Sequence, residues 1–143
     1  MRVLITGHKG YIGTVLAPML VAAGHEVHGL DSDIFERCTF GADPQPVPET
    51  RKDVRDIEPS DVDGFDAVMH LAGLSNDPLG EFDHDLTYAI NHRASVRLAK
   101  HCKGVGVRRF IFASSCLYIP EENLFVGLIG AKAIVVTIVF ISF

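Results

Sequence analysis

The chain has 143 residues, of which 13 are lysine or arginine and 18 are aspartate or glutamate, so its formal net charge is -5. With 48% hydrophobic and 22% charged residues, it has the composition of one globular domain and not of a disordered chain. The negative charge argues against nucleic acid as a partner, because phosphate backbones need a positive protein face. It permits one bound nucleotide, because backbone N–H groups hold a diphosphate without net positive charge.

The N-terminal third predicts a strand, a helix and a second strand. Val3-Leu4-Ile5 is a short apolar run typical of a strand buried on both faces. Gly24 fits the position just after the C-terminus of the helix, and residues 26–30 predict the second strand. Five apolar side chains of the helix share one face at three- and four-residue spacing, namely Ile12, Val15, Leu16, Met19 and Leu20.

The middle of the chain continues the alternation of strands and helices. Three further strands are predicted, at residues 49–54, 66–72 and 109–113, and the last two are richer in apolar residues than the first. Residues 85–103 predict a helix that Gly104 ends. Strands that alternate with helices imply a parallel sheet with right-handed crossovers. The predicted fold class is therefore α/β.

A glycine-rich segment, Gly7-His8-Lys9-Gly10-Tyr11-Ile12-Gly13, lies between the first strand and the first helix. Gly7 suits the sharp turn out of the strand, Gly10 lets a diphosphate approach, and Gly13 lets the helix pack close to the sheet. The exposed N–H groups and the helix dipole favour phosphates. The segment predicts a dinucleotide-binding loop, and a glycine-rich turn without a ligand is the alternative.

Asp31 follows the second predicted strand. A carboxylate there accepts both hydroxyls of an adenosine ribose and repels a 2′-phosphate, so it favours NAD over NADP. Lys9 is a candidate for a phosphate contact and weakens that preference. Asp33 is a competing carboxylate, and for both acids the alternative is a solvated loop position.

Taken in order, these residues resemble the N-terminal part of the extended short-chain dehydrogenase/reductases of the NAD-dependent epimerase/dehydratase type. The resemblance implies a Rossmann-like parallel sheet with flanking helices, from which the C-terminal substrate part is missing. It runs from residue 1 to residue 118. The segments that carry it are Thr6 to Gly13, Asp31, Asp53-Val54-Arg55-Asp56, His70-Leu71-Ala72-Gly73, Asn91 and Ser114-Ser115.

The resemblance assigns roles at the diphosphate and adenine ends of the cofactor. Tyr11 and Ile12 would lie at the diphosphate turn. The Asp53 carboxylate would accept from the exocyclic amine of adenine, and the Val54 N–H would donate to a ring nitrogen. The alternative for Asp53 is a solvated surface acid.

The resemblance also assigns roles at the nicotinamide end. Leu71, Ala72 and Gly73 would line the cofactor groove at the end of the fourth strand, where open α/β sheets bind ligands. Asn91 would sit on the helix behind the nicotinamide, and Ser115 would supply the active-site hydroxyl. Asn91 is otherwise a helix-surface residue, and Ser115 otherwise satisfies backbone groups at a strand end.

The implied activity is that of an NAD-dependent epimerase or dehydratase of nucleotide-linked sugars, in which a sugar carbon is transiently oxidised and hydride then returns. Such enzymes carry a Tyr-x-x-x-Lys motif after the serine, whose lysine lowers the tyrosine pKa. No tyrosine here, at positions 11, 88 and 118, is followed by lysine at that offset. We therefore expect a catalytically incomplete, NAD-binding portion; the alternative is a non-catalytic NAD-binding module whose hydrophobic tail meets a partner or membrane.

The last residues differ in kind from the rest, because residues 124–143 carry one charged side chain, Lys132, and no polar face. They are a truncation or frameshift product, a tail packed on the sheet as a strand or helix, or a transmembrane helix, for which about 20 apolar residues suffice. Lys132 disfavours the membrane. We favour truncation or frameshift, with residues 1–118 as the NAD-binding domain and 119–143 as an atypical tail.

The cysteines and histidines indicate neither disulfides nor a metal. Cys38, Cys102 and Cys116 form no Cys-x-x-Cys pair, so we expect three small apolar residues in a reduced, cytoplasmic protein. The seven histidines include no pair at the i,i+4 spacing of a helical metal site.

Overall fold

A computed structural model describes residues 1–36, 38, 46–74, 83–115 and 136–142, with only the backbone described for 114–115 and 136–142. Its strands form one six-stranded sheet. They are β1 (Arg2–Thr6), β2 (Glu26–Asp31), β3 (Glu49–Arg51), β4 (Ala67–His70), β5 (Arg109–Ser115) and β6 (Val136–Ser142). The helices are α1 (Gly13–Ala22), α2 (Pro59–Val62), α3 (His84–Tyr88) and α4 (Ser95–Val105), with a 3-10 turn at Val54–Asp56 and a π-helical segment at Ala89–Ala94.

The sheet order is β3-β2-β1-β4-β5-β6. The five strands from β1 to β5 run parallel, which confirms the predicted α/β class and parallel sheet. After β3 the chain crosses back over the sheet to add β4 on the other side of β1. The carboxyl ends of β1 and β4 are therefore the point where the strand order reverses, and open α/β sheets bind ligands there.

Among the described strands, β6 departs from the parallel arrangement. It runs antiparallel to β5, with Arg109 opposite Ser142 and Ser115 opposite Val136. Residues 136–142 of the tail therefore pack on the sheet as a strand. Residues 119–135 and 143 lie outside the described part. Within the described ranges, no helix is long and apolar enough to cross a membrane.

The core lies on both faces of the sheet, as the apolar strands predicted. Successive side chains of β1 point to opposite faces, so Leu4 enters one apolar cluster while Val3 and Ile5 enter the other. The first cluster includes Leu98 and Cys102 of α4. Ala17 of α1 lies in the second.

The apolar face predicted for α1 is confirmed only in part, because Leu20 packs against the second cluster while Ile12, Val15 and Met19 are exposed. Val15 and Met19 are 58% and 61% exposed, whereas Gly13 and Ala17 are buried against the sheet. A Cβ atom on Gly13 would lie 2.4 Å from the Gly7 carbonyl oxygen. The helix approaches the loop so closely that only small residues fit the contact, and larger side chains turn outward.

Both long helices end on a glycine with positive φ, but only one of these glycines was identified from the sequence. Gly24 follows α1 with a φ of 81°, which confirms the prediction. Gly104 does not end α4, which continues to Val105. Gly106 closes it with a φ of 85°, because the left-handed turn falls two residues later than predicted.

The third strand, β3, is shorter than predicted. β3 stops at Arg51, since Asp53 caps the 3-10 turn by accepting the Arg55 N–H.

The cysteines differ in their exposure. Cys102 is buried, and burial raises the pKa of its thiol to about 12. Cys38 is also a free cysteine, but it is exposed. Cys116 lies outside the described residues.

Candidate functional site

A cavity of about 550 Å³ lies at the carboxyl ends of β1, β2 and β4. Its walls are the glycine loop, the segment after β2, the start of the 3-10 turn and the segment after β4. The lining residues are 7–10, 14, 17–18, 30–36, 46–47, 49, 52–54, 71–74 and 90. A cavity of this size at a point of reversed strand order is typical of a small-molecule site.

The glycine loop is built by close backbone contacts. Gly7 has a φ of 76°, and its N–H donates to the Leu30 carbonyl at 2.8 Å. A Cβ atom on Gly7 would lie 2.6 Å from the Ala72 nitrogen, so this position accepts no side chain. A Cβ atom on Gly10 would meet a single neighbour, the Gly7 oxygen at 3.2 Å. Gly10 therefore presents open space on the cavity side of the loop.

The backbone at the start of α1 offers unused donors. Among the described residues, the N–H groups of Tyr11, Ile12 and Gly13 have no hydrogen-bond acceptor. Unpaired N–H groups at a helix N-terminus, together with the helix dipole, bind anions. The Tyr11 side chain is 94% exposed, and neither Tyr11 nor Ile12 lines the cavity, although Gly10 and Thr14 on either side of them do.

Asp31 braces the loop against the end of β2. Its Oδ2 accepts the Lys9 N–H at 2.9 Å, and its Oδ1 accepts the Asp33 N–H at 2.9 Å. Each carboxylate oxygen keeps a further lone pair, because a carboxylate accepts up to about four hydrogen bonds. The side chain lines the cavity and is therefore placed to accept hydroxyl donors.

The side chain of Lys9 is held by two acids. Its Nζ donates to Asp33 Oδ2 at 2.7 Å and to Glu49 Oε1 at 3.0 Å. The hydrogen bond to Asp33 raises the Lys9 pKa, and the bond from Lys9 lowers the pKa values of Asp33 and Glu49. Lys9 is thus engaged with carboxylates, where its sequence position suggested a phosphate contact.

His8 and Glu49 were missed by sequence reasoning. The His8 ring packs over Gly29, where an added Cβ would lie 2.4 Å from the ring. Its Nε2 is 2.9 Å from Glu49 Oε2, while its buried Nδ1 has no hydrogen-bond partner among the described residues and lies 3.9 Å from Asp31 Oδ2. The available signal was Gly29, since a glycine inside a strand marks a close approach.

Asp53 and Val54 both line the cavity from the start of the 3-10 turn. Asp53 accepts the Arg55 N–H at 2.8 Å and pairs with the Arg55 guanidinium at 2.8 Å, and these contacts lower its pKa. The Val54 N–H has no acceptor among the described residues. The turn therefore presents one ionised carboxylate and one unused N–H to the cavity.

Leu71, Ala72 and Gly73 line the cavity directly after β4, whereas Asn91 does not. The Asn91 side chain is engaged behind that segment: its Oδ1 accepts the Leu74 N–H and its Nδ2 donates to the Leu74 carbonyl, both at 2.8 Å. Asn91 therefore fixes the segment after β4 by pairing with its backbone.

A buried chain of polar groups supports the two strand ends. His70 Nδ1 is 2.6 Å from Thr6 Oγ1, and His70 Nε2 is 2.7 Å from Ser95 Oγ. Because Ser95 donates its hydroxyl hydrogen to the Asn91 carbonyl, it accepts from His70 Nε2, and Nδ1 accepts from Thr6. Burial lowers the His70 pKa to about 4, so the ring is neutral.

Ser115 is the last residue of β5, opposite Val136 of β6. Parallel strands end at one edge, so the backbone of Ser115 lies at the same edge as the cavity. Its side chain is outside the described part of the chain.

Comparison with protein families matches residues 3–125 to the NAD dependent epimerase/dehydratase family. The chain is 30% identical over 137 residues to a UDP-glucose 4-epimerase of Klebsiella pneumoniae, and the match covers 85% of this chain and 94% of that relative. It is 30% identical over 131 residues to the UDP-glucose 4-epimerase of Corynebacterium glutamicum, of whose length it spans 38%.

Solved structures show the same fold over part of their length. One is the NAD dependent-NDP-hexosamine 5,6-dehydratase TunA, with a TM-score of 0.71, 30% identity, and coverage of 81% of this chain and 38% of that one. Another is the UDP-glucose 4-epimerase of Thermus thermophilus in complex with NAD, with a TM-score of 0.63, 31% identity, and coverage of 76% of this chain and 35% of that one.

Proposed function

The chain belongs to the NAD dependent epimerase/dehydratase family, and from that membership we propose that it is the NAD-binding portion of a nucleotide-sugar epimerase or dehydratase. One observation carries the proposal. The unpaired N–H groups at the start of α1 lie between Gly10 and Thr14, which line the same cavity as Asp31, and the Asp31 carboxylate is joined to the loop by the hydrogen bond from the Lys9 N–H.

The loop side of the cavity suits a diphosphate. The N–H groups of Tyr11, Ile12 and Gly13 would donate to its oxygens, and the N-terminal end of the α1 dipole would favour its charge. Gly10 would let the diphosphate approach, because the space that a side chain would fill is open. The fit requires no cationic side chain, which agrees with the engagement of Lys9 elsewhere.

The two ends of the dinucleotide would meet different residues. Asp31 would accept the ribose hydroxyls of the adenosine, while Asp53 and the Val54 N–H would face the adenine. Leu71, Ala72 and Gly73 would line the groove toward the nicotinamide, with Asn91 holding that segment from behind. The Thermus epimerase, which the chain resembles, is in complex with NAD, and this supports NAD as the ligand.

Bound NAD would supply reversible acceptance of hydride from a sugar carbon. Ser115 would orient the reacting hydroxyl at the end of β5. The proton would need a base, and the chain has no tyrosine followed by lysine four residues later. We therefore expect binding without turnover by this chain, which leaves a non-catalytic NAD-binding module as the second candidate.

Titration with NADH, followed by its fluorescence, tests the binding. The native chain should bind NADH, and Gly10→Leu should abolish binding because the side chain would occupy the diphosphate position. Gly104→Leu is the matched control, since its Cβ would meet nothing within 4 Å and its site lies on α4. Absence of binding at millimolar NADH, or an unchanged titration of Gly10→Leu, would contradict the proposal.

A turnover assay separates the two candidates. The 143-residue chain, loaded with NAD, is incubated with UDP-glucose and the products are separated by chromatography. We expect no conversion. Conversion above the rate of a Ser115→Ala variant would show that the chain is catalytically complete.

A further inference from the structure

We propose that Glu49 is a specificity-determining residue of this site: it holds Lys9 in an ion-pair cage with Asp33 and so withholds that lysine from a phosphate on the adenosine ribose. The inference rests on the proposed binding of NAD. It concerns the choice between NAD and NADP, which differ by a phosphate at the ribose 2′ position.

The cage is defined by three contacts between side chains. Lys9 Nζ lies 2.7 Å from Asp33 Oδ2 and 3.0 Å from Glu49 Oε1. The other oxygen of Glu49 lies 2.9 Å from His8 Nε2. Glu49 thus contacts both His8 and Lys9 of the glycine loop and is the shared member of the two pairs.

The cage lies where a 2′-phosphate would come. The Lys9 N–H donates to Asp31, the proposed acceptor of the ribose hydroxyls, at 2.9 Å, so the Lys9 side chain begins beside the ribose position. Its ammonium group could compensate a 2′-phosphate there, whereas the other lysine of the cavity lining, Lys52, pairs with Asp61 at 2.7 Å. Two of its three N–H donors are already occupied by carboxylates.

The charge of the site adds to this effect. Asp31, Asp33 and Glu49 bring three carboxylates to the part of the cavity wall around Lys9, and Lys9 compensates one of them. A 2′-phosphate would bring up to about two further negative charges into this surrounding. Like charges brought together across a partly desolvated contact are strongly disfavoured.

Substitution of Glu49 can change the cofactor specificity without disturbing the glycine loop, whereas substitution of Asp31 would disturb the loop as well. Asp31 accepts backbone N–H groups of the loop and of the segment after β2, so its removal also disturbs the backbone. The Glu49 carboxylate contacts side chains of the loop, and the Glu49 side chain is 41% exposed. Removing its charge should therefore release Lys9 from one of its two carboxylates, with Asp33 remaining, while the loop keeps its course.

The test compares binding of NADPH and NADH, by fluorescence titration, to the native chain and to Glu49→Gln. We expect the ratio of NADPH affinity to NADH affinity to rise about tenfold in Glu49→Gln, through the loss of one negative charge and the release of Lys9. Glu26→Gln is the matched control, because it removes the same charge at the opposite end of β2, where Glu26 pairs with Arg2 at 3.5 Å. Its ratio should equal that of the native chain.

A double variant assigns the gain to Lys9. Lys9→Met combined with Glu49→Gln should return the ratio to within about twofold of the native value, because no freed ammonium remains to meet the phosphate. Circular dichroism of each variant verifies the fold. An unchanged ratio in Glu49→Gln, or a gain that persists without Lys9, overturns the inference while NADH still binds. Failure of the native chain to bind NADH instead refutes the proposed function on which the inference rests.

Discussion

Two buried histidines at the ends of neighbouring strands have opposite surroundings. His70 ends β4, and both of its ring nitrogens are hydrogen-bonded, to Thr6 and Ser95. His8 follows β1 by two residues, and its Nδ1 has no partner among the described residues although the residue is only 6% exposed. Buried polar groups are normally paired, so a complete set of bonds indicates a structural role and an incomplete set points to a site.

The two regions also differ in how they use charge. The chain of groups around His70 is neutral, buried, and joins the end of β1 to the helix that carries Asn91. The network around His8 is ionic, borders the cavity and contains Lys9 and Glu49. We expect the first region to stabilise the fold and the second to set which ligand binds.

The largest expected effect comes from His70→Leu. It should lower the free energy of unfolding by about 3–4 kcal/mol, because the Thr6 hydroxyl and one lone pair of Ser95 stay buried without their partner. Urea unfolding followed by circular dichroism measures the loss. His84→Leu, at an exposed position, should change stability by less than about 0.5 kcal/mol. A loss below about 1 kcal/mol in His70→Leu would contradict a structural role for the chain of groups.

The pH dependence of stability should separate the two regions. Burial lowers the folded-state pKa of His70 from 6.5 to about 4, so the unfolded chain binds a proton that the folded chain excludes. The contribution of neutral His70 to the free energy of unfolding is complete above pH 6.5. It is lost as the pH falls toward 4, by up to about 3 kcal/mol.

The carboxylates of the ionic network affect the free energy of unfolding at lower pH than His70 does. The pKa values of Asp33 and Glu49 are lowered from 3.8 and 4.5, so their contribution is present above those values and lost as the pH falls below them. Urea unfolding between about pH 7 and about pH 4.5 should thus report His70 together with His28, whose pKa desolvation also lowers from 6.5, and the His70→Leu variant separates the two. If His70→Leu keeps the native slope over this interval, the assignment is wrong.

The smallest effect is expected from Lys9→Met. Its ammonium pairs with Asp33 and Glu49 at a partly exposed position, and such pairs contribute about 0–1 kcal/mol to stability. The urea midpoint should therefore stay close to the native value. A loss above about 2 kcal/mol would show that the network supports the fold and would remove the contrast with His70.

Much of the fold and part of the candidate site could be predicted from the sequence because they rest on local rules. The sequence pattern located the five parallel strands, and the spacing of Gly7, Gly10 and Gly13 located the loop between β1 and α1. Parallel strands end at one edge, so Asp31 and Leu71 were expected near that loop. The cavity contains both.

The errors occur where packing overrides a local pattern. Spacing alone predicted that Val15 and Met19 face the core, but the close approach at Gly13 places α1 on its small residues. Gly104 and Gly106 are both chemically able to end a helix, and the backbone uses the second. Neither choice is visible in the periodicity of the segment.

The glycine loop, its helix and the acid after the second strand follow from neighbours in the chain, since turn geometry and strand burial act over a few residues. The partners of His8, Lys9 and His70 are separated from them by tens of residues and follow from the sheet order instead. Strand pairing brings Glu49 opposite Gly29 and His70 opposite Thr6. Long-range pairing therefore makes one histidine part of the core and the other part of the cavity wall, a distinction that residue type and spacing do not carry.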